Sequence, residues 1–326
     1  MNGAEWGKRI AVLVLVAALV VAGAGVGAIA GGGGSASQPL ALPEYQPDRV
    51  AVEPLPAEGT IRPDRNEVNR GGTVVIDAGH NNRFSRSDIQ PLVEALTRVG
   101  YRVEFYTEGD LAAALEDAKA FVVIDPGREY PPGDVDDVRR FTGQGGRLLI
   151  VGEPSRITLG GGFFGGLVLQ QSSVTALASS YGMSLDTAYL YNQDTENADG
   201  NYKFITAAAG ENADLGGVNR TTMYTAAAVR SQGGTVLLRS TAGTFRSSSD
   251  DEQGEYPVAV RRNNVVLVGD TTFMQPSKHN VADNEAFMAY LVEFLASGDR
   301  QPGRELSASN GGGNGRTARV PAAGGE

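Results

Sequence analysis

The sequence contains no cysteine among its 326 residues. This absence excludes disulfide bonds, thiolate nucleophiles, cysteine-ligated zinc and a lipid-modified cysteine. Histidine is almost as scarce, because His80 and His279 are the only two. With two histidines, no Ser-His-Asp arrangement can be argued from the sequence.

Basic residues are outnumbered and uneven in type. Asp and Glu number 38 against 28 Lys and Arg, so the formal net charge is −10. Only four of the basic residues are lysines (Lys8, Lys119, Lys203 and Lys278). No basic patch is visible, which excludes nucleic acid as a partner. An acidic, lysine-poor composition is typical of high-salt environments and favours a halophilic source, although a GC-rich genome also replaces Lys with Arg.

One long uncharged segment lies near the N-terminus. Residues 10–30 contain no charged side chain, and about 20 apolar residues are enough for a helix to cross the hydrocarbon core of a bilayer. Lys8 and Arg9 precede the segment, and no charge follows until Glu44. The positive-inside rule then places residues 1–9 in the cytoplasm. We therefore predict a single-pass protein of the cell membrane whose C-terminal domain lies outside the cytoplasm.

Two versions of this segment are open. An uncleaved signal anchor would keep the chain in the membrane, and the uninterrupted length of 21 residues favours it. A cleaved signal peptide would use the small-x-small sequence Ala28-Ile29-Ala30. Both versions export the rest of the chain, where Asn219 begins an Asn-Arg-Thr sequon and is a candidate for glycosylation.

Composition divides the exported part into a stalk, a domain and a tail. Residues 31–70 are rich in Gly and Pro and predict a flexible linker and stalk. Residues 71–298 alternate short apolar runs with amphipathic segments and predict one α/β domain. Residues 299–326 contain mainly small and polar residues and predict a disordered tail.

The alternation of strands and helices predicts a doubly wound, largely parallel sheet. Its predicted strands are continuous apolar runs, which is typical of strands buried on both faces. Between the fourth and the last of them, a mixed α+β insertion is expected at about residues 156–256. The predicted parallel strands begin at Thr73, Tyr101, Ala120, Arg147 and Val265.

The insertion is less regular than the rest of the domain. Residues 160–166 read Gly-Gly-Gly-Phe-Phe-Gly-Gly, a loop whose phenylalanines suit contact with a partner or a lipid, although such rings more often pack in the local core. Residues 189–217 show no clear periodicity and predict irregular structure. Strands are predicted at 221–229 and 235–239, joined as a hairpin by a turn at 232–234.

The loops after the first and the last parallel strand are unusually polar and contain both histidines. In a parallel α/β sheet, ligands meet the loops at the carboxyl ends of the strands. The same Asp and Asn side chains also suit a structural use, in which they hold the loops and cap the next helix. The predicted ligand- or partner-binding rim consists of Asp77, His80, Asn81, Asp270, His279, Asn280, Asp283 and Asn284.

Two blocks, residues 73–151 and 265–295, show a family resemblance. The first contains a strand ending in Asp77, then His80-Asn81, and later a glycine-led strand from Gly146 to Ile150. With these blocks the chain resembles the glutamine-amidotransferase-like domain of gliding-motility and ABC-transporter auxiliary proteins. It resembles still more closely the membrane-linked domain-of-unknown-function family 4350. The matching residues of the second block are Gly269, Asp270, Phe273, Asn280, Asp283 and Asn284.

The resemblance implies a flavodoxin-like, class I glutamine-amidotransferase-like fold and a non-enzymatic or unknown role. Catalytic glutamine amidotransferases place a cysteine on a strand-to-helix turn, whereas the turn after the fourth strand here is Gly152-Glu153-Pro154-Ser155. It also lacks the G-x-S-x-G elbow of serine hydrolases. We therefore predict no catalytic residue, no cofactor and no metal, and expect a binding or assembly module with protein partners, as in a transport or assembly system.

A second resemblance supports an alternative. Residues 74–80 (VVIDAGH) are similar to the start of the zinc-dependent N-acetylmuramoyl-alanine amidases, in which His80 would be the first zinc ligand. A catalytic zinc site needs three protein ligands, and the only other histidine is His279. The alternative function is a zinc-dependent hydrolase. The carboxylates that would complete its ligand set are Asp77, Asp270 or Glu94.

Overall fold

A computed structural model describes residues 60–64, 71–159, 167–194, 203–248, 253–303 and 306. The predicted membrane span at 10–30 and the glycine-rich loop at 160–166 lie outside the described residues. Within those described, we find no helix long and apolar enough to span a bilayer.

Within the described residues, nine strands form the main sheet, and five neighbouring ones are parallel. Their order is β2-β1-β3-β4-β15, and they include every strand that the sequence predicted to be parallel. The prediction of a largely parallel sheet in an α/β domain is therefore confirmed. The parallel strands are β1 (Gly72–Asp77), β2 (Tyr101–Tyr106), β3 (Ala118–Ile124), β4 (Arg147–Val151) and β15 (Val265–Val268).

Four antiparallel strands extend this sheet beyond β15. The insertion supplies most of the extension, as expected for an insertion that widens one edge of a sheet. The turn between the first added strand and β15 is Asn263-Asn264, where Asn263 has a φ of 53°. The added strands, in order from β15, are β14 (Pro257–Arg262), β11 (Thr235–Ser240), β8 (Phe204–Ala209) and β9 (Thr221–Tyr224).

The described part of the insertion also contains two smaller sheets. In the described part of the chain, β5 (Arg156–Leu159) and β6 (Leu167–Gln170) pair only with each other, as an antiparallel hairpin. A four-stranded sheet has the order β10-β7-β12-β13. Its strands are β7 (Met183–Asn192), β10 (Ala227–Ser231), β12 (Thr244–Arg246) and β13 (Gln253–Gly254).

Three predictions for the insertion are wrong. The stretch at 189–217 contains the end of β7 and all of β8 rather than irregular structure alone. The predicted strand at 221–229 is two strands, because Thr225 takes a φ of 60° and sends the chain from one sheet to the other. The turn at 232–234 does not make a hairpin, since β10 and β11 also lie in different sheets.

Helices cover both faces of the parallel strands. In β3, Ala120, Val122 and Ile124 pack in one core, and Phe121 and Val123 pack in the other. Side chains of a strand alternate between faces, so this double burial explains the uninterrupted apolar sequence. The first core includes α1 (Gln90–Arg98) and α5 (Asn284–Ala296), and the second includes α2 (Leu111–Leu115), α3 (Pro132–Gly143) and α4 (Thr175–Ser179).

Both predicted boundaries of the domain need correction. Ile61, assigned to the stalk, is buried in the core, and its carbonyl accepts a hydrogen bond from Arg98. Arg300, assigned to the disordered tail, is fully buried and donates to the carbonyls of Glu116 and Ala118. Composition predicted solvent exposure at both places, but a buried aliphatic side chain and a buried guanidinium that donates to two carbonyls fix these segments to the domain.

Candidate functional site

Four acidic residues follow four adjacent parallel strands at the carboxyl edge of the sheet. Asp77 ends β1, Asp125 follows β3 directly, and Glu153 and Asp270 each come two residues after β4 and β15. All four side chains are buried. Neighbouring strands lie about 4.8 Å apart, so these carboxyls form a row along the edge, which we call the acidic row.

At one end of the row, Asp77 is enclosed by donors. Its Oδ1 lies 3.0 Å from His80 Nδ1 and accepts the backbone N–H of Gly79 at 3.0 Å. Its Oδ2 accepts the Tyr130 hydroxyl at 2.5 Å and the Asn82 amide at 3.1 Å. Burial alone would raise the pKa of Asp77, but the contacts with His80 and Tyr130 lower it below its ordinary value. The carboxylate therefore holds the loop after β1 in place.

The ring of His80 is held by an aromatic ring and by a second carboxylate. It stacks on the ring of Tyr130 with centroids 3.8 Å apart, and its Nε2 lies 3.4 Å from Oδ2 of Asp134 in the first turn of α3. Burial, followed by the charge of Asp77, raises the pKa of Tyr130 well above its ordinary value. His80 thus lies between two carboxylates, and it is buried.

The next member of the row, Asp125, binds two arginines. Arg83 donates to both carboxylate oxygens, at 3.0 and 2.6 Å, and Arg156 donates to one of them at 3.3 Å. The Ser172 hydroxyl donates to the same carboxylate. Asp125 itself has a φ of 39°, in the left-handed region. One buried carboxylate therefore binds two guanidinium groups at this part of the edge.

The last two members, Glu153 and Asp270, form a carboxyl pair. Glu153 Oε1 accepts the backbone N–H of Thr271 at 2.8 Å and its hydroxyl at 2.5 Å. Asp270 accepts the backbone N–H groups of Thr272 at 2.7 Å and Tyr224 at 2.8 Å. Burial, together with the charge of Asp270, raises the pKa of Glu153 to about 8. Burial also raises the pKa of Asp270 to about 6.

The loop after β1 crosses the end of β3. Asn82 donates to the carbonyl of Ile124 at 2.9 Å, and the backbone N–H of Gly127 donates to the carbonyl of His80 at 3.0 Å. A Cβ on Gly127 would lie only 2.6 Å from the Asn81 carbonyl oxygen, so glycine is required for this close approach. With the ion pair between Arg83 and Asp125, these contacts close the crevice between β1 and β3 with the chain's own groups.

The structure places the residues of the predicted rim at three positions, which are the end of β1, the end of β15 and the loop before α5. Asp77, His80 and Asn81 lie together at the end of β1. Asp270 lies at the same edge of the sheet but three strands further along. His279 and Asn280, both half-buried, lie in the loop before α5.

That last loop is tied to the antiparallel extension. The Asp283 carboxylate accepts the backbone N–H groups of Asn219 and Arg220, both at 2.8 Å. Asn284 is buried and makes hydrogen bonds in both directions with the backbone of Thr222 in β9. Asp283 and Asn284 therefore have a structural use. His279 Nδ1 lies 2.9 Å from the carbonyl oxygen of Pro276 in its own loop.

Several residues of the edge were not found by reasoning from the sequence. A usable signal was present, because Asp125 ends the run Val-Val-Ile-Asp just as Asp77 does. A search for an acid after every predicted parallel strand would have found the whole acidic row. The arginines and Tyr130 had no such signal, since their positions depend on how the loops fold. The residues missed are Asn82, Arg83, Asp125, Tyr130, Asp134, Glu153, Arg156 and Ser172.

The donor set does not fit a zinc site. Asp77 and Asp134 lie on opposite nitrogens of His80, so they do not converge on one point with it. Glu94 is exposed on α1, where it accepts a hydrogen bond from Gln90. Across the described ranges, no group of three or more His, Asp and Glu side chains is arranged to hold a metal ion.

Comparison with known proteins adds information about the fold. No protein-family model and no curated protein matches the chain. The solved N-terminal domain of mmIFT52 is similar with a TM-score of 0.51 at 12% identity, over 69% of this chain and 98% of that domain. ThuA-like proteins from Bacteroides uniformis (TM-score 0.39, 8% identity, 74% of this chain and 96% of that one) and Parabacteroides merdae (0.40, 12%, 70% and 91%) are more distant. The likeness to the mmIFT52 domain shows a shared fold and nothing further.

Proposed function

We propose that this chain is a membrane-anchored, extracytoplasmic binding module without catalytic activity, whose protein partner binds at the carboxyl edge of the parallel strands. The proposal includes membership of the domain-of-unknown-function family 4350 and a flavodoxin-like fold. The strand order β2-β1-β3-β4-β15 supports the fold assignment, because flavodoxin-like sheets have the order 2-1-3-4-5.

The observation that carries the proposal is the closed crevice between β1 and β3. In this strand order, small ligands and cofactors bind at the switch point between those two strands. Here Asn82 reaches the carbonyl of Ile124, and Arg83 binds Asp125 across the same space. A small molecule would have to displace a buried ion pair and several satisfied hydrogen bonds, which costs more than such contacts return. Binding on top of the edge avoids this cost.

The hydrogen bonds made by the acidic row also support a non-catalytic role. A general acid or base must come within about 3 Å of the proton that it transfers. Each carboxyl of the row is buried and accepts hydrogen bonds from neighbouring side chains or backbone N–H groups. These carboxyls hold loops together instead of facing a substrate.

Arginines lie at the outer side of the edge. Arg128 is exposed, and its guanidinium donates to the Gly79 carbonyl at 2.6 Å. Arg156 is also exposed while it binds Asp125. Guanidinium groups with donors left for solvent are suited to bind carboxylates of a protein partner.

Protease treatment of intact cells tests the anchor and its orientation. Protease added outside should digest the chain beyond Ser37, while the uncharged segment should stay in the membrane after extraction at alkaline pH. Protection of the domain from external protease would contradict the proposed orientation, and release by alkali would contradict the anchor.

Photo-cross-linking in cells tests the binding edge. A photoreactive residue in place of Arg128 should cross-link a defined protein. The matched control is the same residue in place of Arg102, an exposed arginine on the edge strand β2. Identical cross-linking patterns at the two positions would show that the edge is not the binding surface.

The zinc hydrolase is the second candidate, and one observation favours it. Asp77 holds Nδ1 of His80, as carboxylates hold metal-binding histidines in many zinc sites. The missing third ligand weighs against it. Metal analysis of the purified protein decides between the two functions. Stoichiometric zinc that is lost in His80→Ala would support the hydrolase and contradict the binding module.

A further inference from the structure

The exposed large hydrophobic side chains of the described residues all lie in the hairpin of β5 and β6. Ile157 is 69% exposed, Leu167 74%, Val168 46% and Leu169 64%. Single exposed aliphatic side chains are normal on a protein surface, but a cluster of them indicates a contact surface. We call these four residues the apolar hairpin patch.

The pairing of the hairpin places most of the patch on one face. Ile157 is directly opposite Leu169, and position 159 is opposite Leu167. Residues on a strand alternate between faces, so Ile157, Leu167 and Leu169 share one face and Val168 lies on the other. An isolated two-stranded sheet is only marginally stable in water, so an apolar face of this kind gains stability when something covers it.

The base of the hairpin is fixed to the carboxyl edge. Arg156, its first residue, donates to Asp125 at 3.3 Å and lies 3.7 Å from Glu153. The hairpin therefore leaves the domain beside the proposed partner-binding surface. A covering layer on the patch would also be close to that surface.

Charge distribution points to a lipid surface as the covering layer. The chain has a net charge of −10, yet residues 157–185 contain no charged side chain. Anionic lipid headgroups repel acidic surfaces and attract basic ones. An uncharged apolar hairpin with an exposed arginine at its base is the part of such a domain that approaches a bilayer at the lowest electrostatic cost.

Because the predicted anchor would keep the domain near the bilayer, even a weak interaction between the hairpin and lipid would be enough to maintain contact. The predicted linker begins at residue 31, and a flexible chain from there to the first described residue at 60 has a root-mean-square length of about 30 Å. Such a tether gives the hairpin a high effective concentration at the lipid. The edges of a two-stranded sheet present unpaired backbone groups, which are not tolerated in the hydrocarbon core. The contact must therefore lie at headgroup depth, where water and lipid polar groups satisfy the backbone.

We propose that the β5–β6 hairpin contacts the lipid bilayer through the apolar hairpin patch and turns the carboxyl edge toward the membrane. This inference rests on the proposed membrane anchor. It implies that a partner bound at the edge is itself in or on the membrane.

The absence of cysteine allows a direct test by site-specific labelling. The full-length Leu169→Cys variant is labelled with a polarity-sensitive fluorophore and reconstituted in vesicles of phosphatidylcholine and phosphatidylglycerol. We expect a blue-shifted emission and quenching by lipids with brominated acyl chains. The control is Ser184→Cys, an exposed position in the same uncharged segment but outside the hairpin, which should show neither effect. A charge at the patch, Ile157→Asp, should abolish the quenching at position 169.

The outcomes separate the two proposals. If the chain floats with the vesicles while the label at 169 stays unquenched, the hairpin inference is wrong and the anchor is kept. If the chain does not float, both are wrong. A disulfide-linked dimer of the unlabelled Leu169→Cys variant in vesicles, together with an unquenched label, would identify a second copy as the covering layer and overturn the lipid contact.

Discussion

Asp125 shows how much of the carboxyl edge depends on single charges. Its carboxylate is fully buried and binds Arg83 and Arg156. Asp125→Asn should remove the counter-charge of Arg83 and leave Arg156 with only the Glu153 carboxyl at 3.7 Å. Breaking a buried ion pair on one side costs about 3–5 kcal/mol. We expect a loss near the lower end, because both arginines reach solvent. Urea denaturation measures it.

The matched control for that variant is Asp136→Asn on the exposed side of α3. An exposed change of this kind is usually within about 0.5 kcal/mol of the parent. Equal stabilities of the two variants would show that the ion pairs of Asp125 contribute little to folding.

The raised pKa of Glu153 predicts that the stability of the folded protein depends on pH. Its pKa in the folded protein is about 8, against an ordinary value of 4.5, so between these values the folded state binds a proton that the unfolded state lacks. A raised carboxyl pKa contributes stability that is complete below the unfolded pKa and is lost as the pH rises through the folded one. Asp270 adds the same effect at lower pH, between 3.8 and about 6.

Glu153→Gln should therefore weaken the loss of stability in the upper part of this window. The amide cannot ionise, and Asp270 is already charged above a pH of about 6. Urea denaturation of both proteins from about pH 6 to about pH 8 tests this expectation. An unchanged slope in the variant would mean that Glu153 titrates normally in the folded protein.

At the scale of elements, the end of the domain gives a clear prediction. Arg300 is buried, donates to the carbonyls of Glu116 and Ala118, and lies over the ring of Phe141 at 5.2 Å. Arg300→Ala removes the buried hydrogen bond to the Ala118 carbonyl, and a buried acceptor that loses its partner costs about 1–3 kcal/mol. The Glu116 carbonyl keeps the hydrogen bond from the Gly303 N–H. A lowered melting temperature is expected.

The control for this variant is Gln301→Ala, because the neighbouring glutamine is exposed. Its melting temperature should match that of the parent. If Arg300→Ala also matches the parent, the segment after α5 does not contribute to the domain, and the boundary predicted at residue 298 is restored.

Sequence patterns predicted elements well where burial alone decides them. The parallel strands are apolar throughout because both faces are covered, so Phe121 and Val122 are both buried although they point to opposite sides. The insertion follows a different rule. There Thr225 sends consecutive strands into different sheets through a single positive φ, which leaves no period in the sequence to detect.

The candidate site was predictable only in part for a related reason. Asp77 and His80 are three residues apart, so their contact is local and follows from the loop sequence. Arg83 and Asp125 are 42 residues apart, and Glu153 and Thr271 are 118 apart. Contacts of this kind depend on the strand order, which periodicity does not specify.

At the scale of the whole molecule, the net charge of −10 predicts how stability responds to salt. Repulsion between the carboxylates destabilises the folded state, and added salt screens it. Screening is almost complete once the Debye length falls to about 3 Å, near 1 M ionic strength. If the protein is mesophilic and its composition reflects a GC-rich coding sequence, its stability should therefore stop increasing with salt before about 1 M is reached. The stability of a halophilic protein should continue to increase above about 1 M salt, and we expect this second behaviour.

Melting temperatures in increasing KCl distinguish the two, with sucrose at matched water activity as the control for effects unrelated to charge. A plateau below about 1 M KCl would reject the halophilic source and leave codon composition as the reason for the scarcity of lysine.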